Sequence, residues 1–307
     1  MLYFIFDRQN PTRYANYLPG YLTEEEERQT IENIKTKKVA FIIVSGEYEI
    51  TAVVTQPDRP VGRSQETSKS PVKLLAEEHR LNILQPESLK NYSLPPTPYS
   101  LNIVCQYGLI IPKSILETPK RSSINVHTSL LPKYRGASPI QSSLVNGETE
   151  TGVTIMLMDE KMDHGPILAH EKINISADDT TEILSEKMKP VAANLLLKTV
   201  PEYLAGEIQP TPQDESQATF CKILSRDDGK VDWNNSTEQI YNQYRGLTPW
   251  PGIWTTWYNK RLKLLKITPS PSRRGTVGEV NVVDNRIFVH ALDCLIEATE
   301  LQLEGKK

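Results

Sequence analysis

The sequence predicts an α/β domain with an open, mostly parallel sheet and flanking helices, followed by a small C-terminal β-barrel. Three observations predict it. From about residue 50 to 200, short β-branched runs alternate with longer helical patterns, the mark of a sheet whose strands are joined by crossover helices. Residues 206–220, beginning "GEIQPTPQDESQAT", are polar, proline-bearing and without period, so they read as a linker. Beyond them come one capped helix and several strand-length pieces divided by turn signals, as in a small barrel. The expected domains are therefore 1–205, with residues 1–49 atypical, and 221–307.

Taken in order, "VAFIIV" (39–44) and "ITAVV" (50–54) are separated by five residues. That is too few for the crossover that parallel neighbours require, so either the two form a hairpin or only one enters the sheet. A helix is predicted from Pro71, whose missing N–H is harmless in a first turn, with Val72, Leu75, Ala76 and His79 at helical spacing. "NIVCQYG", "INVH" and "GVTIMLM" read as strands, and residues 181–205 as one or two helices. Ser236 and Gln239 make a capping box for a helix that stops near Gly246. "IWTTWYNKRLKLLKI", "GTVGEVNVV", "RIFVHAL" and "CLIEATEL" supply the barrel strands, with Trp233 and Trp250 expected to pack it.

Composition removes several classes. With 38% hydrophobic and 24% charged residues in 307, the chain is neither disordered nor fibrous. No apolar run reaches the roughly 20 residues of a membrane span, and no signal peptide is expected. Cys105, Cys221 and Cys294 are widely spaced and read as reduced thiols of a cytoplasmic protein. His79, His164, His170 and His290 lack metal spacing, so no metal is expected. A net charge of −3 argues against indiscriminate nucleic-acid binding, but Lys260, Arg261, Lys263, Lys266, Arg273 and Arg274 form a local basic cluster.

The chemistry concentrates at "INVHTSLLPKYRGASPI", residues 124–140. On a strand, Asn125 and His127 point to one face and would converge at the strand's carboxyl end. "MDEKMDHGPI", about thirty residues downstream, adds Asp163 beside Gly165 in a loop. A carboxylate that orients and charges an imidazole, with an amide to hold a developing oxyanion, suits acyl transfer. Ser129 lacks the G-x-S-x-G elbow of a serine nucleophile, which leaves direct attack by a substrate amine. In the loop that follows, Gly136 is expected to serve a backbone turn and Arg135 to anchor it.

The strings "TQPDRPVGR", "SPVKLLAEE", "YGLIIPKSIL", "INVHTSLLPKYRGASPIQ", "ETGVTIMLMDEKMDHGPIL" and "LTPWPG" together resemble the methionyl-tRNA formyltransferase family. The resemblance runs from about residue 50 to the C-terminus. It implies formyl transfer from 10-formyltetrahydrofolate to the α-amine of methionyl initiator tRNA in translation initiation, by a cytoplasmic monomer. It puts catalysis on Asn125, His127 and Asp163, and the folate contact on Ser129, Leu130, Leu131 and Pro132. A clamp on the tRNA acceptor stem falls on Arg63, with Lys69 the one lysine in the run that follows. An oligonucleotide-binding-type barrel carries Lys260, Arg261 and Lys263 as backbone contacts. Two departures stand out: the family's Gly-Thr-Pro-x-Phe turn is absent from residues 1–50, and the chain stops at "LEGKK". Sugar-nucleotide N-formyl transfer, or a catalytically impaired folate- or RNA-binding relic, are the alternatives.

Overall fold

A computed structural model describes residues 2–7, 49–61, 66–94, 99–272 and 275–305. Two compact units make up the chain. Met1–Pro132, Val153–Glu171 and Lys189–Ala218 form one, and Lys133–Gly152, Lys172–Met188 and Thr219–Lys307 form the other.

The first unit is organised by a seven-stranded sheet. Its strands are β1 (Leu2–Asp7), β2 (Glu49–Val54), β5 (Ile83–Leu84), β6 (Leu101–Cys105), β7 (Ser123–His127), β9 (Glu150–Leu157) and β10 (Ile167–Asn174), in the order β10-β9-β7-β6-β1-β2-β5. β2–β5 and β6–β7 pair in parallel; β1 runs antiparallel to both β2 and β6, and β9 antiparallel to β7. The α/β class is the one expected. "ITAVV" enters the sheet as β2, whereas residues 39–44 lie outside the described residues. A short hairpin of β3 (Arg59–Val61) and β4 (Glu66–Ser68) follows β2.

Helix α1 (Pro71–Glu78) starts where Pro71 predicts, and Ser70 Oγ caps it by accepting the Lys73 N–H at 3.1 Å. Val72 and Ala76 are buried, but the helix ends before His79, which is exposed. Between β6 and β7 lies the one-turn helix α2 (Lys113–Leu116). Ala52, Val54, Val104, Tyr107, Ile115 and Leu116 form the core there. Buried Asn102 joins these pieces: its Nδ2 donates to Ile115 O at 3.1 Å and to Ser123 Oγ at 2.9 Å, and Ser123 Oγ donates to Leu116 O at 2.9 Å. That network, fixed at the start of β7, sets the register of the strand carrying the Asn-x-His pair.

The second unit contains β8 (Arg135–Gly136), which pairs in parallel with β11 (Phe220–Cys221), and helix α3 (Pro139–Val145). At φ +120°, Gly136 passes so close that a Cβ would sit 2.2 Å from Cys221 O, so only glycine fits. Arg135 is 2% exposed, its N–H donates to Thr219 O at 2.8 Å, and its guanidinium lies over the Phe220 ring at 5.9 Å. Residues 181–205 form one helix, α4 (Thr181–Ala205), with Pro190 and Pro201 inside.

The capping box is present at α5 (Thr237–Leu247): Ser236 Oγ accepts from Gln239 N and the Gln239 side chain returns to Ser236 N. Then β12 (Ile253–Trp257), β13 (Lys260–Ser270), β14 (Val280–Val283), β15 (Arg286–His290) and β16 (Leu295–Leu303) build an antiparallel sheet in the order β12-β13-β16-β15-β14. Register shifts around Lys266 interrupt β13, the kind of irregularity that bends a barrel strand. Ile240, Leu247, Ile253, Leu264, Ile267 and Ile296 form its core. Trp233 packs against this core, but Trp250 is 55% exposed, contrary to expectation. Trp250 sits between the cis Thr248–Pro249 and Trp250–Pro251 bonds, in a turn outside the strands.

Candidate active site

β7 is buried along its whole length, flanked by β6 on one side and β9 on the other. Strand alternation sends Ile124 and Val126 to one face and Asn125 and His127 to the opposite one. On that face the two side chains meet a single carboxylate oxygen. Asn125 Nδ2 donates to Asp163 Oδ1 at 3.2 Å, and His127 Nδ1 lies 3.7 Å from the same atom. His127 is 5% and Asn125 9% exposed, and the Asp163 side chain 15%. The cluster is nearly dry on the protein side, where polar interactions are strongest.

The carboxylate arrives by a route that a parallel sheet does not offer. Because β9 is antiparallel to β7, Leu157 faces Ile124 and the chain leaves β9 at the beginning of β7. The loop 158–166 must then turn back over the sheet face to bring Asp163 to His127. Asp163 itself has φ +49°, in the left-handed region that Asp tolerates better than most residues. Gly165 permits the closure, since a Cβ there would lie 2.0 Å from Leu157 O. The three side chains therefore meet on one face of β7 beside His127, the last residue of that strand.

The segment after β7 is fastened from beneath by a residue that sequence reasoning missed. Thr154, fully buried and opposite His127 on β9, donates its hydroxyl to Ser129 O at 2.7 Å and accepts the Leu131 N–H at 3.2 Å. Its signal was a polar residue inside the apolar run "GVTIML". Of the four residues assigned to folate, Ser129 and Leu131 are buried, and Leu130 and Pro132 are half-buried, with the Leu131–Pro132 bond cis. His164 is occupied by one carboxylate of its own loop and one of the turn Glu215–Gln217: Nδ1 is 2.6 Å from Asp159 Oδ2 and Nε2 is 3.4 Å from Glu215 Oε1. Gln213, also missed, donates Nε2 to Asp163 O at 2.9 Å and to Gly165 O at 2.8 Å.

The structure describes part of the basic set. Arg63, Arg273 and Arg274 lie outside the described residues. Lys69 Nζ contacts both carboxylate oxygens of Glu77 at 2.9 Å. On β13, Arg261 and Lys263 alternate with Lys260, so they share a face that Lys260 does not. Arg261 stacks over Trp254 at 4.3 Å, and Lys263 stands opposite Trp254 and Gln302. Among the described residues, no cluster of three His, Cys, Asp or Glu is placed to hold a metal, and no helix is long and apolar enough to cross a membrane.

The chain is an α/β unit followed by an antiparallel five-strand sheet, with an amide and an imidazole on one strand face and a loop carboxylate beside them, and its relatives make it a one-carbon transferase of the formyltransferase class. Residues 27–200 match the formyl transferase family and residues 223–307 the formyl transferase C-terminal domain. The methionyl-tRNA formyltransferase of Halalkalibacterium halodurans is 41% identical over 275 residues, 86% of each chain. That of Listeria monocytogenes is 43% identical over 265 residues, 84% of this chain and 85% of the other. The chain belongs to the methionyl-tRNA formyltransferase family. Among solved structures, an N-formyltransferase from Helicobacter canadensis in complex with folinic acid and dTDP-3-aminofucose superposes with a TM-score of 0.60 at 18% identity, covering 88% of this chain and 94% of that one. HypX from Aquifex aeolicus, in complex with tetrahydrofolic acid, gives 0.55 at 19% identity, covering 67% and 36%. These two likenesses establish the fold.

Proposed function

We propose that this chain transfers a formyl group from 10-formyltetrahydrofolate to the α-amine of methionyl initiator tRNA, with Asn125, His127 and Asp163 as the reacting cluster. The convergence of the amide and the imidazole on Asp163 Oδ1, at 3.2 and 3.7 Å, carries this reading. Family membership at 41–43% identity to curated methionyl-tRNA formyltransferases supports the substrate. The sugar N-formyltransferase likeness is more distant, at 18%. A tetrahydrofolate-type co-substrate fits the family, and translation initiation places the work in the cytoplasm.

The reaction needs no protein nucleophile. The methionyl amine attacks the formyl carbon, its carbonyl oxygen takes up negative charge, and collapse of the tetrahedral intermediate breaks the bond to N10 of the folate. The amine loses a proton and N10 gains one, so the products are the formamide and tetrahydrofolate. Asn125 has two amide protons; one is held by Asp163 Oδ1 and the other is directed at the oxyanion. Because His127 turns Nδ1 toward Asp163, the protonated ring offers its Nε2–H as the second oxyanion donor.

Exposed apolar side chains stand on the loops around this strand end: Ile110 at 88% in the segment after β6, and Met162 at 62% beside Asp163. With Leu130 and Pro132 they offer surfaces against which a flat pterin can pack. Arg261 and Lys263 are the proposed tRNA backbone contacts on the second unit, with Lys260 on the reverse face, while Arg63 and Lys69 belong to the clamp segment. Phosphate contacts of this kind position RNA without reading it.

The test is incubation of purified protein with methionyl initiator tRNA and 10-formyltetrahydrofolate, scoring formyl-methionine beside an Asp163→Ala control. Product in the native protein and its loss in the control are expected. Folate binding without transfer would select the impaired relic, and formylation of a sugar amine in preference to the tRNA would select the other enzyme.

A further inference from the structure

We propose that Gln213 is a positioning residue for formyl transfer, acting by holding the backbone of the Asp163 loop. The inference rests on the reading of Asn125, His127 and Asp163 as the reacting cluster. Gln213 is not itself a member of the reacting cluster. Both protons of its amide are instead spent on the loop: one on the carbonyl of Asp163 at 2.9 Å, the other on the carbonyl of Gly165 at 2.8 Å.

The loop has a specific need for such a brace. Asp163 sits at φ +49°, and its carboxylate must serve Asn125 and His127 at once. Small rotations about its Cα would separate Oδ1 from one or both, and catalytic constellations tolerate only about 0.5 Å of such error. The carbonyl that Gln213 holds belongs to Asp163 itself. The second held carbonyl, two residues on, is at the glycine where the loop passes against Leu157 O. A single amide therefore fixes the Asp163–His164 and Gly165–Pro166 peptide units.

Gln213 is in turn pre-ordered. Two residues before it, Thr211 makes an antiparallel bridge with Ile167, the first residue of β10, through hydrogen bonds of 2.8 and 2.9 Å. One residue after it, Asp214 Oδ1 accepts the Ser216 N–H at 3.0 Å and caps the turn Glu215–Gln217. Pro210 and Pro212 further limit the backbone. The same turn supplies Glu215, whose Oε1 is 3.4 Å from His164 Nε2. The proline-rich segment thus works as a splint for the loop that carries the carboxylate.

The experiment uses the full-length protein with Gln213→Met, which keeps the volume and removes both donors, and Gln213→Glu, which restores a donor only when protonated. Gln213→Met is expected to lower kcat about 10–10²-fold, as slight misplacement does, with KM for both substrates changed less than twofold. In an Asp163→Ala background the same change should cost less than twofold. Gln213→Glu should regain activity relative to the native enzyme as pH falls toward the carboxyl range, a response that a purely structural role would not give. Equal kcat losses in the two backgrounds, an effect on KM alone, or no loss at all would overturn the proposal. If Asp163→Ala itself retains full kcat, the cluster reading fails instead, whatever Gln213 does. Should Gln213→Met fail to fold, the pH response of Gln213→Glu decides alone.

Discussion

The face of β7 and the length of β13 show two ways of deploying polar side chains. On β7, two residues and one incoming carboxylate are drawn to a single oxygen, with 5% and 9% of the strand residues' surface left exposed. On β13, cations stand on an exposed strand at spacings set by the pleat, Arg261 and Lys263 to one side and Lys260 to the other. Bond-making at one carbon rewards convergence, because each donor must lie within about 3 Å of where charge develops. Binding a polyanion rewards spread, because neutralisation is summed over many weak contacts. The cost of error differs accordingly: losing one member of a convergent group is severe, and losing one cation is mild.

The largest effects should break the convergent side. Asp163→Ala and Asn125→Ala are each expected to lower kcat about 10²–10³-fold, with little change in KM for the tRNA. Steady-state kinetics check this, and a loss confined to KM would remove the contrast with β13. Next comes the core beneath the spread side. Ile296→Ala, at a fully buried position of β16, should destabilise the second unit by about 2–5 kcal/mol. Thermal denaturation should show it, with folate binding by fluorescence unchanged below the transition.

Helix capping should give less: Ser236→Ala removes the acceptor for Gln239 N and is expected to cost about 1 kcal/mol in chemical denaturation. Lys263→Ala should weaken tRNA binding only a few-fold and reduce the salt slope of log K by about 1, leaving kcat alone. A change in kcat there would mean that the strand does more than the phosphate binding proposed for it.

The smallest effect concerns an ion pair near the start of the second unit's contiguous stretch. Lys222 and the Ser225 N–H hold the Asp228 carboxyl down from 3.8 to about 2. A depressed carboxyl stabilises the fold above its unfolded value and loses that contribution as pH falls from about 4 through about 2. With Lys222 at 74% exposure, screening limits it to about 1 kcal/mol or less. Asp228→Asn should flatten the acid limb of the stability curve in that window and leave pH 7 kinetics unmoved.

Local patterns carried much of this from sequence. Pro71 set the start of α1, Ser236 with Gln239 set that of α5, and the two-residue spacing of Asn125 and His127 put them on one face of β7. Each depends on geometry within a few residues, where backbone periodicity fixes direction. The misses depended on neighbours remote in sequence. His79 falls past the end of its helix, Trp250 is left outside the sheet, and Thr154 works from the adjacent strand.

The sequence by itself determined the kinds of residue available for the reaction and the side of the strand on which two of them stand. Alternation along an extended backbone needs no partner to be true. Only the tertiary structure decided how the carboxylate reaches them, because the direction of β9 and the grip of Gln213 on the Asp163 loop arise from pairings between segments about 30 to 50 residues apart. No pattern within either segment encodes such a contact; packing selects it once the sheet has formed.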